Sequence, residues 1–147
     1  MKTHILFDFD GTLVDSAPGV LSTFTKVMQT HELTPCRAID PSLIGPPLRL
    51  TLEALSGQHD PVLLDALSTS FREIYDGQTC LSTPAYPGWH EVLKALREQG
   101  LVLSIATNKR LQPTLLILDA LGWTEHFSAI YANDSHPGLY TNKAGMI

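Results

Sequence analysis

Hydrophobic and polar positions divide the chain into stretches of different period. Near the start, Ile5-Leu6-Phe7 is a short unbroken apolar run, the pattern of a strand buried in a parallel sheet. Polar residues and a glycine take over at Asp8-Phe9-Asp10-Gly11-Thr12. Ser16 then reads as a helix N-cap with Pro18 in the first turn. Val20, Leu21, Phe24, Val27 and Met28 follow at helical spacing and predict one buried stripe. Pro35, Pro41, Gly45, Pro46 and Pro47 predict loop over residues 34–47, with at most a short helix. Leu48, Leu52 and Leu55 predict a short helix closed by Gly57. Asp60-Pro61 opens another, carried by Leu64, Leu67, Phe71, Ile74 and Tyr75. Gly77 to Pro87 reads as a linker.

The pattern then changes. Trp89, Val92, Leu93 and Leu96 predict a helix ending at Gly100, and residues 101–106 predict a strand running into Thr107-Asn108-Lys109. Leu111, Leu115, Leu118 and Leu121 predict a helix stopped by Gly122, and residues 128–132 a third strand. Lys143 to Ile147 reads as the first turn of one more helix. Strands alternating with helices imply an α/β fold with a Rossmann-like parallel sheet. The expected division is a core of residues 1–15 and 84–147, interrupted by an all-helical insertion over 16–83. Both polar clusters, 8–12 and 107–109, fall at the carboxyl ends of predicted strands, where ligands collect in such sheets.

Composition narrows the function. The 147 residues carry 10 basic and 15 acidic side chains, a net charge of −5, which argues against a nucleic-acid partner or an anionic membrane surface. No apolar run is long enough to span a membrane, and no signal-peptide core follows the start. Cys36 and Cys80 sit in no metal or redox spacing and are expected as small, partly buried hydrophobes, and a cytoplasmic location is expected.

Asp8 and Asp10 would point to the same side of an extended strand. Two like charges so close repel unless a cation lies between them or one is protonated. Oxygen ligands at a strand end suit Mg²⁺, which keeps several waters and takes one or two carboxylates. Gly11 would let backbone N–H groups approach a phosphate, and Thr12 can cap the turn. The plainer alternative is that both aspartates only solvate the loop.

At this point the segment Ile5-Leu6-Phe7-Asp8-Phe9-Asp10-Gly11-Thr12-Leu13-Val14-Asp15-Ser16 resembles the first motif of the haloacid dehalogenase-like hydrolases, in particular their phosphoglycolate-phosphatase-like branch. Thr107, ending the next core strand, is similar to the second motif, and Lys143 is the candidate for the third. The helical insertion lies where that branch carries a cap domain.

The resemblance implies a Mg²⁺-dependent phosphatase acting on a small phosphorylated substrate, phosphoglycolate-like or a sugar phosphate. Asp8 would be the nucleophile that forms an aspartyl-phosphate, and Asp10 the general acid and then base. Asp8 and the Asp10 carbonyl would hold the metal. Thr107, Asn108 and Lys143 would bind the phosphoryl oxygens. Asp10 points away from the true dehalogenases, which lack an aspartate there, and from the transport ATPases, which have Thr. A phosphomutase of the same branch is the rival enzyme.

The family's acidic fourth motif has no counterpart after Lys143, which predicts a truncated chain, and the rival outside enzymology is a non-catalytic remnant. An uncovered sheet edge would then invite self-association. Arg49 would contact a substrate carboxylate or phosphate, or sit on the surface at a helix start, and Arg72 and Lys109 carry the same ambiguity. The six histidines show no helical metal spacing, and Trp89 and Trp123 are expected in core packing.

Overall fold

A computed structural model describes residues 3–134. These residues form two compact units, one made of the chain up to Ser16 and from Thr83 onward, the other of Ala17–Ser82. Each has its own apolar interior.

In the first unit, β1 (His4–Phe7), β2 (Val102–Ala106) and β3 (Phe127–Tyr131) form a parallel sheet in that order. The register pairs His4 with Val102 and Phe7 with Ile105. A register shift between Leu103 and Ser104 separates the Leu103–Phe127 pair from the Ser104–Ala129 pair. The strand between the other two is the most enclosed, with Leu103 and Ile105 fully buried. Helices α4 (Trp89–Glu98) and α5 (Leu111–Leu121) connect the strands. Phe9, Leu13, Val14, Leu93, Ile117, Leu118 and Trp123 complete this core.

On two helices the apolar residues that predicted the element are not all buried. On α5 the buried residues are Pro113, Thr114, Ile117 and Leu118, whereas Leu115 is 38% exposed. The segment LQPTLLILDAL is apolar almost all round, so its leucine spacing does not select the inward face. On α4 only Leu93 is buried, and Trp89 serves a polar contact described below.

The second unit contains α1 (Ala17–Thr30), α2 (Leu48–Ser56) and α3 (Pro61–Gly77). Asp60 caps α3 by accepting from the Val62 N–H, and Gly57 ends α2 in the left-handed region at φ 69°. Phe24, Val27 and Met28 of α1 are buried, as are Leu64, Leu67, Phe71 and Tyr75 of α3. Phe71 lies 4.8 Å from Phe24 and 5.8 Å from Tyr75, ring centre to ring centre. The expected linker after α3 is instead a 3₁₀ turn over Thr79–Ser82 with Cys80 fully buried. The Thr79 hydroxyl lies 2.6 Å from that of Thr23 on α1, and this side-chain contact between distant positions leaves no period in the sequence. Cys36, in contrast, is exposed.

Trp123 is buried after α5 and donates its indole N–H to His90 Nδ1 at 2.8 Å. Arg97 donates to the Glu125 carbonyl on the same side of the unit. Burial, helped by the Arg97 and His90 charges against a weaker pull from Glu125, holds His126 below its ordinary value of 6.5. A histidine kept neutral by the fold takes up its proton more readily when unfolded. Its contribution is therefore present above about pH 6.5 and lost as the pH falls below it. Thermal stability is expected to drop between about pH 7 and 5, and His126→Gln should flatten that part of the profile. An unaltered slope in the variant would assign the titration to other groups.

Candidate active site

The first cluster begins where β1 stops. Phe9 turns into the core and is fully buried, while exposed Asp8 and half-buried Asp10 flank it. Asp8 Oδ1 accepts the Phe9 N–H at 2.7 Å. The Phe9 carbonyl then gathers the N–H groups of Thr12, Leu13 and Val14, and the Gly11 N–H donates to the Val14 carbonyl at 2.9 Å. Gly11 sits at φ 79° with open space where a side chain would begin, so the turn needs its backbone freedom rather than its small size.

Gly11 is the residue expected to let backbone N–H groups approach a phosphate. Its N–H, with those of Thr12, Leu13 and Val14, is satisfied inside the turn, so glycine here shapes the loop and offers no donor of its own. The turn is anchored to the segment before α4. Asp15 N–H donates to the Pro84 carbonyl and Tyr86 N–H to the Leu13 carbonyl. Trp89 Nε1–H donates to the Thr12 carbonyl at 3.0 Å, and the Trp89 ring meets Phe7 edge-on at 5.6 Å. Sequence reasoning assigned Trp89 to packing alone; the contact to Thr12 is long-range and invisible to helical spacing.

The second cluster begins where β2 stops. Thr107 is buried, its N–H donates to the Tyr131 carbonyl at 2.9 Å, and its Oγ1 accepts the Lys109 N–H at 3.1 Å. The Thr107 hydroxyl therefore retains a proton that it can donate outward. Asn108 is exposed at the tip of this turn. Asn133 N–H donates to the Lys109 carbonyl, and Asp134 Oδ1 accepts the Leu111 N–H at the start of α5.

A contact between Lys109 and Asp10 joins the clusters. Lys109 Nζ lies 3.3 Å from Asp10 Oδ1, with the two side chains 10% and 32% exposed. That carboxylate oxygen is buried and has no aligned hydrogen bond among the described residues, so the lysine faces it as a charge rather than as a directed donor. Lys109, ambiguous in the sequence, is thereby a member of the site.

The donor set can be tested against Mg²⁺. No group of three or more His, Cys, Asp or Glu converges among the described residues. Two carboxylates at a strand end, one with a buried oxygen outside any aligned hydrogen bond, fit a cation that keeps most of its water.

A family model for haloacid dehalogenase-like hydrolases matches residues 5–138, which contain both clusters. The chain belongs to that family.

Among relatives of this chain, the phosphoglycolate phosphatase of Mesorhizobium japonicum is 32% identical over 139 residues, 89% of this chain and 60% of that protein. The phosphoglycolate phosphatase of Rhodobacter capsulatus is 33% identical over 144 residues, 93% of this chain and 64% of that protein. The crystal structure of a predicted phosphoglycolate phosphatase from Haemophilus somnus superposes with a TM-score of 0.80 at 26% identity, over 93% of this chain and 64% of that one. The chain thus spans less than two thirds of the length of these relatives.

Lys143 and Arg49 are the two further site residues expected from the sequence. Lys143 lies outside the described residues. Arg49, in the helical unit, pairs with Asp65 and donates to the Pro61 carbonyl at 3.3 Å, which ties α2 to the start of α3.

The ion pair can be measured directly. Lys109→Met strands a buried carboxylate oxygen and should destabilise the fold by ~1–2 kcal/mol. Asp10→Asn in that background should recover part of the loss, giving a coupling energy of about 1 kcal/mol in a denaturation cycle. Strict additivity of the two substitutions would show that the contact carries no energy.

Proposed function

We propose that this chain carries the catalytic cluster of a Mg²⁺-dependent phosphatase that hydrolyses a small phosphorylated metabolite, phosphoglycolate-like or a sugar phosphate. The observation that supports this most is the Lys109–Asp10 contact, which brings the polar ends of two neighbouring parallel strands together. The names of the relatives support the substrate class.

In this reading the Asp8 carboxylate attacks phosphorus, so a bond forms to its oxygen while the bond to the leaving oxygen breaks. Asp10 gives its proton to that leaving oxygen. Asp10 then takes a proton from water, the water oxygen bonds to phosphorus, and the bond to Asp8 breaks, releasing phosphate. Thr107 donates its hydroxyl proton to a phosphoryl oxygen, Asn108 its amide, and Lys143 its ammonium. Lys109 holds the Asp10 carboxyl in place between proton transfers. The Asp8 carboxylate and the Asp10 carbonyl would hold Mg²⁺, which would supply positive charge to offset that of the carboxylate and phosphate. The helical unit acts as a cap that selects the substrate, and Arg49 reaches a substrate anion by exchanging its Asp65 partner.

The same reading places the protein in the cytoplasm. The described residues contain no helix long and apolar enough to cross a membrane. Among those residues β1 pairs only with β2, and Leu6 is 40% exposed, so the 147-residue chain by itself would self-associate along that edge.

Phosphate release from a panel of phosphate esters tests the chemistry. Activity should require added Mg²⁺ and vanish in Asp8→Asn, which keeps the shape and removes the nucleophile. Asp10→Asn should slow turnover by roughly 10²–10⁴-fold. Full activity of Asp8→Asn, or full activity in excess chelator, would overturn the mechanism. Isomerisation of a sugar phosphate without phosphate release would make the enzyme a mutase instead.

A further inference from the structure

Lys109 is almost enclosed, which is unusual for a lysine and demands a fixed backbone beneath its long flexible stem. Beside the Lys109 N–H bond to Thr107 Oγ1, three hydrogen bonds from the segment that ends β3 help to fix that backbone. Thr107 N–H donates to Tyr131 O at 2.9 Å, Asn133 N–H to Lys109 O at 3.2 Å, and Leu111 N–H to Asp134 Oδ1 at 2.7 Å. The first two are between backbone groups and would survive most substitutions. The third depends on one side chain.

Helix α5 lacks a cap from its own entry residue. Arg110 occupies that position in extended geometry and makes no side-chain capping bond. The carboxylate of Asp134, 23 residues beyond Leu111, takes the place of a local cap. An acidic group there also matches the positive end of the helix. Between Thr107 and Leu111 the chain has only three residues, with Lys109 in the middle. Both ends of this short span are therefore held, one by the sheet and one by Asp134.

We infer that Asp134 is a positioning residue that, by capping α5, holds Lys109 against Asp10. Asp134 touches neither Asp10 nor a reacting atom in this assignment, and acts through the Leu111 N–H and the turn of residues 107–110. Its kinetic consequence rests on the phosphatase reading given above; its structural consequence does not. Asp134 is exposed, so its replacement removes no core contact.

The test uses the 147-residue chain and a limiting amount of an amine-acylating ester, with Lys109 and Lys94 acylation followed by peptide mass spectrometry. Lys94 is exposed on α4 and serves as the internal reference. Asp134→Ala should raise the Lys109 rate relative to Lys94 by about fivefold, the change in opening expected from losing one helix cap. Asp134→Asn keeps an acceptor oxygen and should stay within about twofold of the parent, since Asn caps as well as Asp. In the phosphate-release assay, Asp134→Ala should lower kcat by a similar factor with little change in KM, and should have no further effect in a Lys109→Met background. An unchanged Lys109 acylation rate in Asp134→Ala, or equal losses of kcat with and without Lys109, would overturn the inference, even if the variant melts at a lower temperature. Full activity of Asp8→Asn would overturn the phosphatase reading alone, and the acylation rates would still decide the role of Asp134.

Discussion

Parallel pairing of β1 with β2 is the constraint on which the rest of the site depends. Parallel strands put their carboxyl ends at one edge, so the polar residues after Phe7 and after Ala106 leave the sheet together. Antiparallel pairing would send them to opposite edges. Once the register sets Phe7 against Ile105, the exits toward Asp8 and Thr107 are neighbours. The side chains that follow need only local turns to meet. Those turns are built differently. The one after β1 turns the N–H groups of Thr12, Leu13 and Val14 onto the Phe9 carbonyl, whereas the one after β2 relies on the Thr107 hydroxyl and on residues beyond β3.

Much of this was legible because it is local. Ile5-Leu6-Phe7, the run before Thr107 and the run before Ala132 each show an apolar stretch followed by polar residues, and each is a strand in the expected place. Gly57, Asp60 and Gly122 mark helix ends through chemistry that acts within a few residues. The less legible features are those set by distant partners. Neither the inward face of α5, the Trp89 bond to Thr12, nor the Asp134 cap has a periodic signature. Lys109 illustrates the boundary. Its position after Thr107 and Asn108 hinted at a role, but only the fold reveals that it faces a buried oxygen of Asp10. Gly11 is needed in its turn for its φ angle, which the residue order alone does not display.

The helical unit has a property with consequences for how the chain assembles. It is continuous in sequence, whereas the sheet-bearing unit is split around it. Its two ends also meet. Thr23, in the second turn of α1, touches Thr79 in the turn that closes the unit, and a side chain on Gly19 would come within 3.3 Å of the Thr79 carbonyl. Joining β1 to β2 across an unstructured insert would require closing a long loop, with an entropy cost that grows with the logarithm of its length. Once the helical unit has folded, most of that loop is replaced by a rigid body whose entrance and exit lie side by side. The effective separation between β1 and β2 then shrinks to the short connecting segments. Helices form from local contacts and are the faster elements to assemble. The insertion thus serves the sheet as a folded clasp, turning its longest-range pairing into a much shorter one.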